Sequence, residues 1–167
     1  MAIDNAQLSN PIRDTSAQAI RLAKTLVRSA KFGAIGVIEP ITKEPFVSRV
    51  AVATAMNGAP LILISNLSTH TQALRADSRC SILLGEPAKG DPLAYPRVTL
   101  QCEAEFLDRD GTTGQQARER YLRRNPKGKL YADFGDFSFV RLNPKRASLN
   151  GGFGQAFRLT DTDLLCD

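Results

Sequence analysis

The stretch PFVSRVAVATAMNGAPLILISNLSTHTQALRADSRCSILLGEP, residues 45–87, decides the fold. Its apolar segments are rich in Val, Ile and Leu and are bounded by turn residues, so we predict strands over residues 46–55, 61–65 and 80–87. The Asn57-Gly58 pair predicts a two-residue type I′ turn, in which both central residues adopt left-handed backbone. This part of the chain is therefore expected to begin an antiparallel β-sheet.

Strand patterns continue on both sides of this stretch. We predict further strands over residues 32–39, 97–107, 137–142 and 146–150, a helix capped by Thr15 or Ser16 that ends near Ser29, and a helix over residues 114–124. Six or seven strands with few intervening helices favour an antiparallel barrel over βαβ units. The expected fold class is mainly β with flanking helices (α+β), in one domain.

The expected domain covers residues 1–167, with a polar N-terminal arm over residues 1–14 and a glycine-rich tail over residues 151–167. A hydrophobic content of 43% in 167 residues is enough for one core. No segment approaches the about 20 apolar residues of a spanning helix, and the N-terminus lacks a secretory pattern. We therefore expect a soluble, cytoplasmic protein that does not bind a membrane.

The net charge of +5 raises the question of nucleic-acid binding. The basic residues are spread over many segments, however, and form no single stripe with aromatic residues between them. The densest run, RERYLRRNPKGK at residues 118–129, is best interpreted as a solvated helix face and the loop after it, with a nucleic-acid patch as the minority interpretation. A phosphate-bearing small ligand suits the same charge, and no nucleic-acid partner is expected.

Several kinds of site are disfavoured by the sequence. Cys80, Cys102 and Cys166 form no CxxC pair, and the chain has one histidine, so no zinc or iron–sulfur site is expected. No G-x-S-x-G segment accompanies that histidine, which argues against Ser–His–acid catalysis. The GGFG run at residues 151–154 lacks the strand and helix that a dinucleotide fingerprint needs.

One polar cluster lies between an apolar strand and a helical pattern: Ser65, Ser68, Thr69, His70 and Thr71. Hydroxyls and unpaired N–H groups at a helix N-terminus favour an anion such as phosphate. The alternative is that Ser68 or Thr69 only caps the helix. His70 has three interpretations, as an ordinary loop residue, a phosphate donor or a proton carrier.

Two arginines stand within or at the head of predicted strands. Arg49 is flanked by small and β-branched residues, where a guanidinium is expected to have a bidentate partner such as a carboxylate or a phosphate. Arg97 follows Pro96 and starts the fifth predicted strand. Each also has the plain interpretation of a charge that faces water.

The order of the motifs carries a resemblance. Reading FGAIGVIE, PFVSRVAVATAMNGAPLILIS, NLSTHTQALRADSRCSILLGEP, PRVTLQCEAEFL and RASLNGGFGQAF in sequence, the chain resembles the pyridoxamine 5′-phosphate oxidase-like flavoproteins over residues 22–157. It is most similar to the branch with haem-utilisation split-barrel proteins. There an S-x-L-x-x-H-T-x-x-L segment precedes A-D-x-R-x-S-x-L-L, and this chain carries both between Ser65 and Leu84.

The resemblance implies a six-stranded antiparallel split β-barrel that works as a homodimer, with FMN in a cleft between the subunits. The strand Ser48 to Ala51 would lie beside the flavin ring, with Arg49 near the ring or phosphate. Arg97 and Asn150 would reach the ring edge. The implied cofactor-binding residues are Ser48, Arg49, Val50, Ala51, Ser65, Ser68, Thr69, His70, Thr71, Arg97 and Asn150.

The expected function is that of an FMN-dependent oxidoreductase of unknown substrate, in which the protein orients the flavin and excludes solvent. No residue is assigned as a catalytic acid or base. The sequence FGQAFRL at residues 153–159 lacks the R-x-H element of the vitamin-B6 oxidases, so pyridoxamine phosphate is not the expected substrate. The alternative is a non-catalytic protein that binds flavin or haem, with haem the less favoured cofactor.

Overall fold

The computed structural model describes residues 12–152 and 154–166. Its strands are β1 (Ile12–Arg13), β2 (Phe32–Ile38), β3 (Pro45–Ala51), β4 (Ala53–Thr54), β5 (Pro60–Ser65), β6 (Arg79–Leu84), β7 (Arg97–Phe106), β8 (Phe137–Asn150) and β9 (Ala156–Thr160). Its α-helices are α1 (Ala17–Ser29), α2 (Thr69–Ala76), α3 (Thr112–Arg124) and α4 (Asp161–Leu164). Short 3₁₀-helices cover Pro92–Ala94 and Pro126–Leu130.

The nine strands belong to one sheet. Strands β3, β2, β6, β7 and β8 pair in that order, each antiparallel to its neighbour. The other edge of β8 pairs with β5 in its first part and with β9 in its last part. Strand β4 pairs with β5, and β1 pairs with β9 in parallel. The mainly β fold with flanking helices is therefore confirmed, but the sheet has nine strands and is mixed, where six antiparallel strands were expected.

Two strand boundaries differ from the prediction. The segment predicted as one strand over residues 46–55 divides at Val52, whose N–H donates to the carbonyl of Lys31 at 2.9 Å. The two strands predicted over residues 137–142 and 146–150 are one strand, β8. Strand β8 accommodates Pro144 at a β-bulge. On β7, Gln101 pairs with Arg146 and the next residue, Cys102, pairs with Pro144, so one residue of β8 between them is left over. Strand β9 and helix α4 occupy the tail, where no regular structure was predicted.

The turn between β4 and β5 is not the predicted type I′ turn. Gly58 has a φ of 89°, but Asn57 is not left-handed, because Lys43 is the one non-glycine residue with positive φ in the described part of the chain. The N–H of Gly58 donates to Ala55 at 3.0 Å, and the N–H of Ala55 donates to Ala59 at 2.8 Å. The loop thus has three residues with glycine at the left-handed position.

The core has two parts on opposite faces of the sheet. The larger, inner core combines α1 and α2 with inward side chains of most strands, for example Ala23, Leu74 and Ile62. In the smaller core, α3 packs through Tyr121 against the opposite face, which includes Leu61. Strand β5 is buried on both faces for this reason, which explains its unbroken apolar run.

We call the other side of β2, β3, β6 and β7 the outer face. Side chains alternate along each strand, so the residues beside the buried ones point to this face. Its large apolar members remain partly exposed: Phe32 at 39%, Ile38 at 39%, Val47 at 65% and Leu83 at 43%. This chain therefore leaves an apolar surface on one side of its sheet, opposite the inner core.

Candidate functional site

His70 and Ser48 come together where α2 packs on β3. The Oγ atom of Ser48 lies 2.9 Å from Nδ1 of His70. Ser48 is on the inward side of β3, and His70 occupies the second position of α2. Burial lowers the pKa of His70 below its ordinary value of 6.5, so the neutral imidazole is favoured. One ring nitrogen is thus held by Ser48, and the ring is oriented by that bond.

The N-terminus of α2 carries the polar groups that the sequence predicted as an anion site. Ser68 is the N-cap by position, but its side chain makes no capping hydrogen bond. The N–H groups of Thr69 and His70 have no acceptor within the helix because they belong to its first turn. The hydroxyl of Thr71 is fully buried and has no hydrogen-bond partner. The simple capping interpretation is therefore not what the side chains show.

An unpartnered buried hydroxyl has an energetic cost. Leaving such a group without a partner costs about 1–3 kcal/mol relative to a satisfied one. A carboxylate or phosphate oxygen that reached Thr71 would remove this cost, and the helix dipole would favour its negative charge. The α2 N-terminus, which we define as Ser68, Thr69, His70 and Thr71, therefore carries donors of the kind that bind an acidic group.

Ser65 has a different place from the rest of this cluster. Its hydroxyl donates to the carboxylate of Asp136 at 2.8 Å and accepts from the N–H of Leu67 at 3.2 Å. The carbonyl of Asp136 accepts from the N–H of Asn66 at 2.8 Å. Asp136 thus holds the loop that leads into α2. Sequence reasoning missed Asp136, because it lies 71 residues from Ser65 and no local pattern links them.

The predicted site residues of β3 point to opposite sides of the sheet. Val50 is buried in the inner core and lies on the same side of β3 as Ser48. Arg49 and Ala51 are exposed on the outer face, where the guanidinium carbon of Arg49 lies 5.2 Å from the centre of the Phe32 ring. Arg49 and Ser48 therefore cannot contact the same part of a ligand from one side.

Arg97 and Asn150 are neighbours on paired strands, at one end of the outer face. The guanidinium of Arg97 donates to the carbonyls of Leu93 at 3.1 Å and Tyr95 at 3.3 Å. The side-chain oxygen of Asn150 accepts from the N–H of Gly152 at 3.0 Å. Both side chains stabilise the loops next to them, and the proposed approach of these residues to a flavin ring stays a prediction.

The predicted residues thus form two groups within one chain. Ser48 joins the α2 N-terminus, and Arg97 joins Asn150. Strand β7 is three strands away from β3 in the sheet, which corresponds to about 14 Å at the usual spacing between strands. Arg49 shares the outer face with the second group but lies at its far edge. A single chain therefore does not assemble all of these residues around one cofactor.

The remaining sulfur and acidic groups do not suggest a metal site. Cys80 and Cys102 face each other on β6 and β7 and are buried, whereas Cys166 is exposed. Burial raises the pKa of Cys80 to about 12 and raises that of Cys102 still further. In residues 12–152 and 154–166, no group of three or more His, Cys, Asp or Glu side chains could hold a metal ion.

No helix in the described ranges combines the length and the apolar character needed to cross a membrane.

Comparison with known proteins gives relatives with named ligands. The chain is 34% identical over 114 residues to the non-canonical heme oxygenase HOZ, chloroplastic, of Arabidopsis thaliana. The matched region covers 68% of this chain and 34% of the plant protein. It is 30% identical to the heme binding protein of Mycobacterium smegmatis, with a TM-score of 0.82 over 90% of this chain and 61% of that one. The chain therefore spans about a third of the plant relative and under two thirds of the mycobacterial one.

A more distant structure has the same fold. The FAD-binding protein of Mesorhizobium loti is 16% identical, with a TM-score of 0.62 over 81% of this chain and 94% of that one. The solved neighbours thus include proteins named for haem and for a flavin. The family model described as "CREG, beta-barrel" matches residues 14–164, which is most of the chain. This chain belongs to that β-barrel family.

Proposed function

We propose that this chain is a homodimeric binding protein for a planar redox cofactor with acidic groups, haem or FMN. The observation that carries the proposal is the buried, unpartnered hydroxyl of Thr71 at the N-terminus of α2, one residue after the half-buried His70. Both cofactors have a large apolar ring system and at least one acidic group. The α2 N-terminus can hold the acidic group, and the outer face can cover a ring.

Haem is favoured by the relatives and by His70. The two relatives reported above at 34% and 30% identity are named for haem, one as an oxygenase and one as a binding protein. A neutral imidazole with one nitrogen held by a neighbouring side chain suits a metal ligand, because the held nitrogen fixes the ring orientation. His70 meets both conditions through its lowered pKa and the bond to Ser48.

FMN is favoured by the donors at the α2 N-terminus. A phosphate has three terminal oxygens, and Ser68, Thr69 and Thr71 offer hydroxyls beside two unpaired N–H groups. No guanidinium or ammonium contacts these hydroxyls in the described structure, so the affinity for a phosphate would be moderate. On this candidate the protein is an FMN-dependent oxidoreductase of unknown substrate, as the sequence resemblance implied.

The homodimer is part of the proposal because one chain leaves its site incomplete. Arg49, Arg97 and Asn150 are on the outer face, together with the partly exposed Phe32 and Leu83. A second copy packed on this face would bury the apolar side chains and would bring its own Arg97 and Asn150 toward the first chain's β3. The cofactor would then lie between the two chains.

The chemistry depends on which cofactor is bound. A bound flavin would carry out electron or hydride transfer, and a bound haem would react with oxygen at its iron. The chain's own residues bind and orient the group. Thr71 and the first N–H groups of α2 hold an acidic substituent, Ser48 holds the ring of His70, and the apolar outer face excludes water.

The test is a set of separate absorbance titrations with haem and FMN. His70→Gln and Thr71→Val are compared with wild type in both titrations, with Gln72→Ala as a control at an exposed position of the same helix outside the site. If haem is the ligand, His70→Gln changes the Soret band and weakens haem binding. If FMN is the ligand, Thr71→Val weakens FMN binding and His70→Gln has the smaller effect. Saturable binding of neither cofactor by wild type would refute the proposed function.

A further inference from the structure

A basic pocket lies where the C-terminal turn of α3 meets α1 and β4. Its volume is about 320 Å³, which is at the lower end of the usual range for small-molecule sites, about 300–1,000 Å³. The pocket is lined by Arg28, Ala53, Thr54, Arg120, Arg123 and Arg124. We call it the arginine pocket. Four guanidiniums therefore surround one small cavity that contains no carboxylate among its lining residues.

The arginines come from α1 and α3, and each of three makes a contact that fixes its side chain. The Nε atom of Arg120 donates to the carbonyl of Thr54 at 2.6 Å. Arg124 donates to the carbonyl of Ser29, the last residue of α1. Arg28 lies 3.4 Å from the sulfur of Cys166. Each of these bonds uses one of the five N–H donors of a guanidinium and leaves others for a ligand.

The local charge is poorly balanced. Arg123 forms an ion pair with Glu119 at 2.6 Å, whereas Arg28, Arg120 and Arg124 bond to carbonyl oxygens and sulfur atoms in the described structure. Cations held near one another repel unless an anion lies between them. Guanidiniums bind phosphate oxygens in a bidentate way, so a phosphate-bearing anion is the ligand that this arrangement fits.

We propose that the arginine pocket binds a small phosphate-bearing anion, at a site separate from the cofactor site. The size of the cavity favours a phosphate or diphosphate group over a polymer. A nucleic acid would instead need a continuous basic track with aromatic platforms, and the pocket lining contains no aromatic residue. The basic run that the sequence marked at residues 118–129 thus supplies part of a compact pocket.

The probe is inorganic pyrophosphate, titrated by isothermal calorimetry into the full chain at constant ionic strength, with sodium chloride as the balancing salt. The double variant Arg28→Gln/Arg124→Gln removes two of the four charges. Arg28→Gln alone is the milder variant, because it leaves the bond to Ser29 in place. Arg21→Gln, on the exposed side of the same helix as Arg28, is the matched control. Urea unfolding shows whether each variant is folded.

We expect saturable pyrophosphate binding to wild type and to Arg21→Gln, weakened by about tenfold in the double variant and by less in Arg28→Gln. Haem and FMN titrations of the same variants should match wild type, which separates this site from the proposed function. Absent binding to wild type, or equal binding by all variants, would overturn the proposal. Binding of a single-stranded oligonucleotide without pyrophosphate binding would overturn it in favour of nucleic acid.

Discussion

Ser48 and His70 are 22 residues apart in the sequence, and the Oγ of the first lies 2.9 Å from Nδ1 of the second. The bond joins β3 to the start of α2. It is a side-chain hydrogen bond between two segments that the sequence marked as candidates for cofactor binding. The contact makes Ser48 a residue that positions His70, and several expectations depend on it.

Replacing Ser48 by Ala should release the ring of His70. If His70 is a haem ligand, we expect haem affinity to fall by about tenfold, the lower end of the effect of losing such an orienting bond. Absorbance titration with haem measures it, with Ser78→Ala as an exposed control. The conservative variant Ser48→Thr should restore part of the affinity. Unchanged affinity in Ser48→Ala would show that the bond does not orient a ligand.

Thr71→Val should change stability and binding in opposite directions. The valine has a similar shape and removes a buried hydroxyl that has no partner, so the free energy of unfolding without cofactor should rise by about 1 kcal/mol. Cofactor affinity should fall, because the acidic group loses a donor. Urea unfolding and cofactor titration measure the two effects. A variant that is both less stable and weaker in binding would indicate that the hydroxyl has a structural partner.

The lowered pKa of His70 predicts how the stability of the protein changes at acid pH. Burial lowers this pKa in the folded chain below the ordinary value of 6.5, so protonation is easier in the unfolded chain. The contribution of His70 to stability is therefore present above pH 6.5 and is lost as the pH falls through the folded pKa. Urea unfolding at pH 7.5 and pH 5 should show a greater loss for wild type than for His70→Gln. Equal losses would contradict the buried, neutral ring.

The three cysteines should differ in reactivity. Cys166 is exposed, whereas burial raises the pKa of Cys80 to about 12 and that of Cys102 further, which suppresses their thiolates. Iodoacetamide at pH 8 should modify one thiol per folded chain and three in urea, as read by mass spectrometry. The Cys166→Ser variant should then remain unmodified when folded. Rapid labelling of Cys80 in the folded protein would refute the burial of this strand pair.

Gly114→Ala tests the contact at the start of α3. Alanine usually stabilises a helix interior relative to glycine, but here a Cβ atom would lie 1.9 Å from the carbonyl oxygen of Asp108. We therefore expect a loss of about 2 kcal/mol or more in the free energy of unfolding. Gly135→Ala is the matched control, because nothing lies within 4 Å of its added Cβ. A stabilised Gly114→Ala would show that the helix start is positioned differently.

Local patterns in the sequence predicted much of the fold. The helix capped at Ser16, the strands around residues 32–38 and 97–106, and the polar start of α2 follow from caps, alternation and turn residues. The break at Val52 and the passage of β8 through Pro144 were not predictable, because both depend on pairing with distant strands. For the same reason, the contact of Ser65 with Asp136 had no local signal.

The placement of the site residues was only partly predictable. Alternation along β3 puts Ser48 and Arg49 on opposite faces, and this could have been read from the sequence. The distance from β3 to Arg97 depends on the order of strands in the sheet, which no single motif determines. That separation is the reason for proposing that a second copy completes the cofactor site.

Native mass spectrometry of the chain after incubation with haem or FMN tests whether two chains share the cofactor. We expect a species of two chains that carries cofactor, and loss of both dimer and cofactor when Leu83→Arg places a charge on the outer face. The matched control, Leu130→Arg, changes an exposed leucine away from that face and should leave the loaded dimer intact. A cofactor-loaded monomer, or a wild-type dimer that binds neither cofactor, would contradict the proposal that two chains share a cofactor.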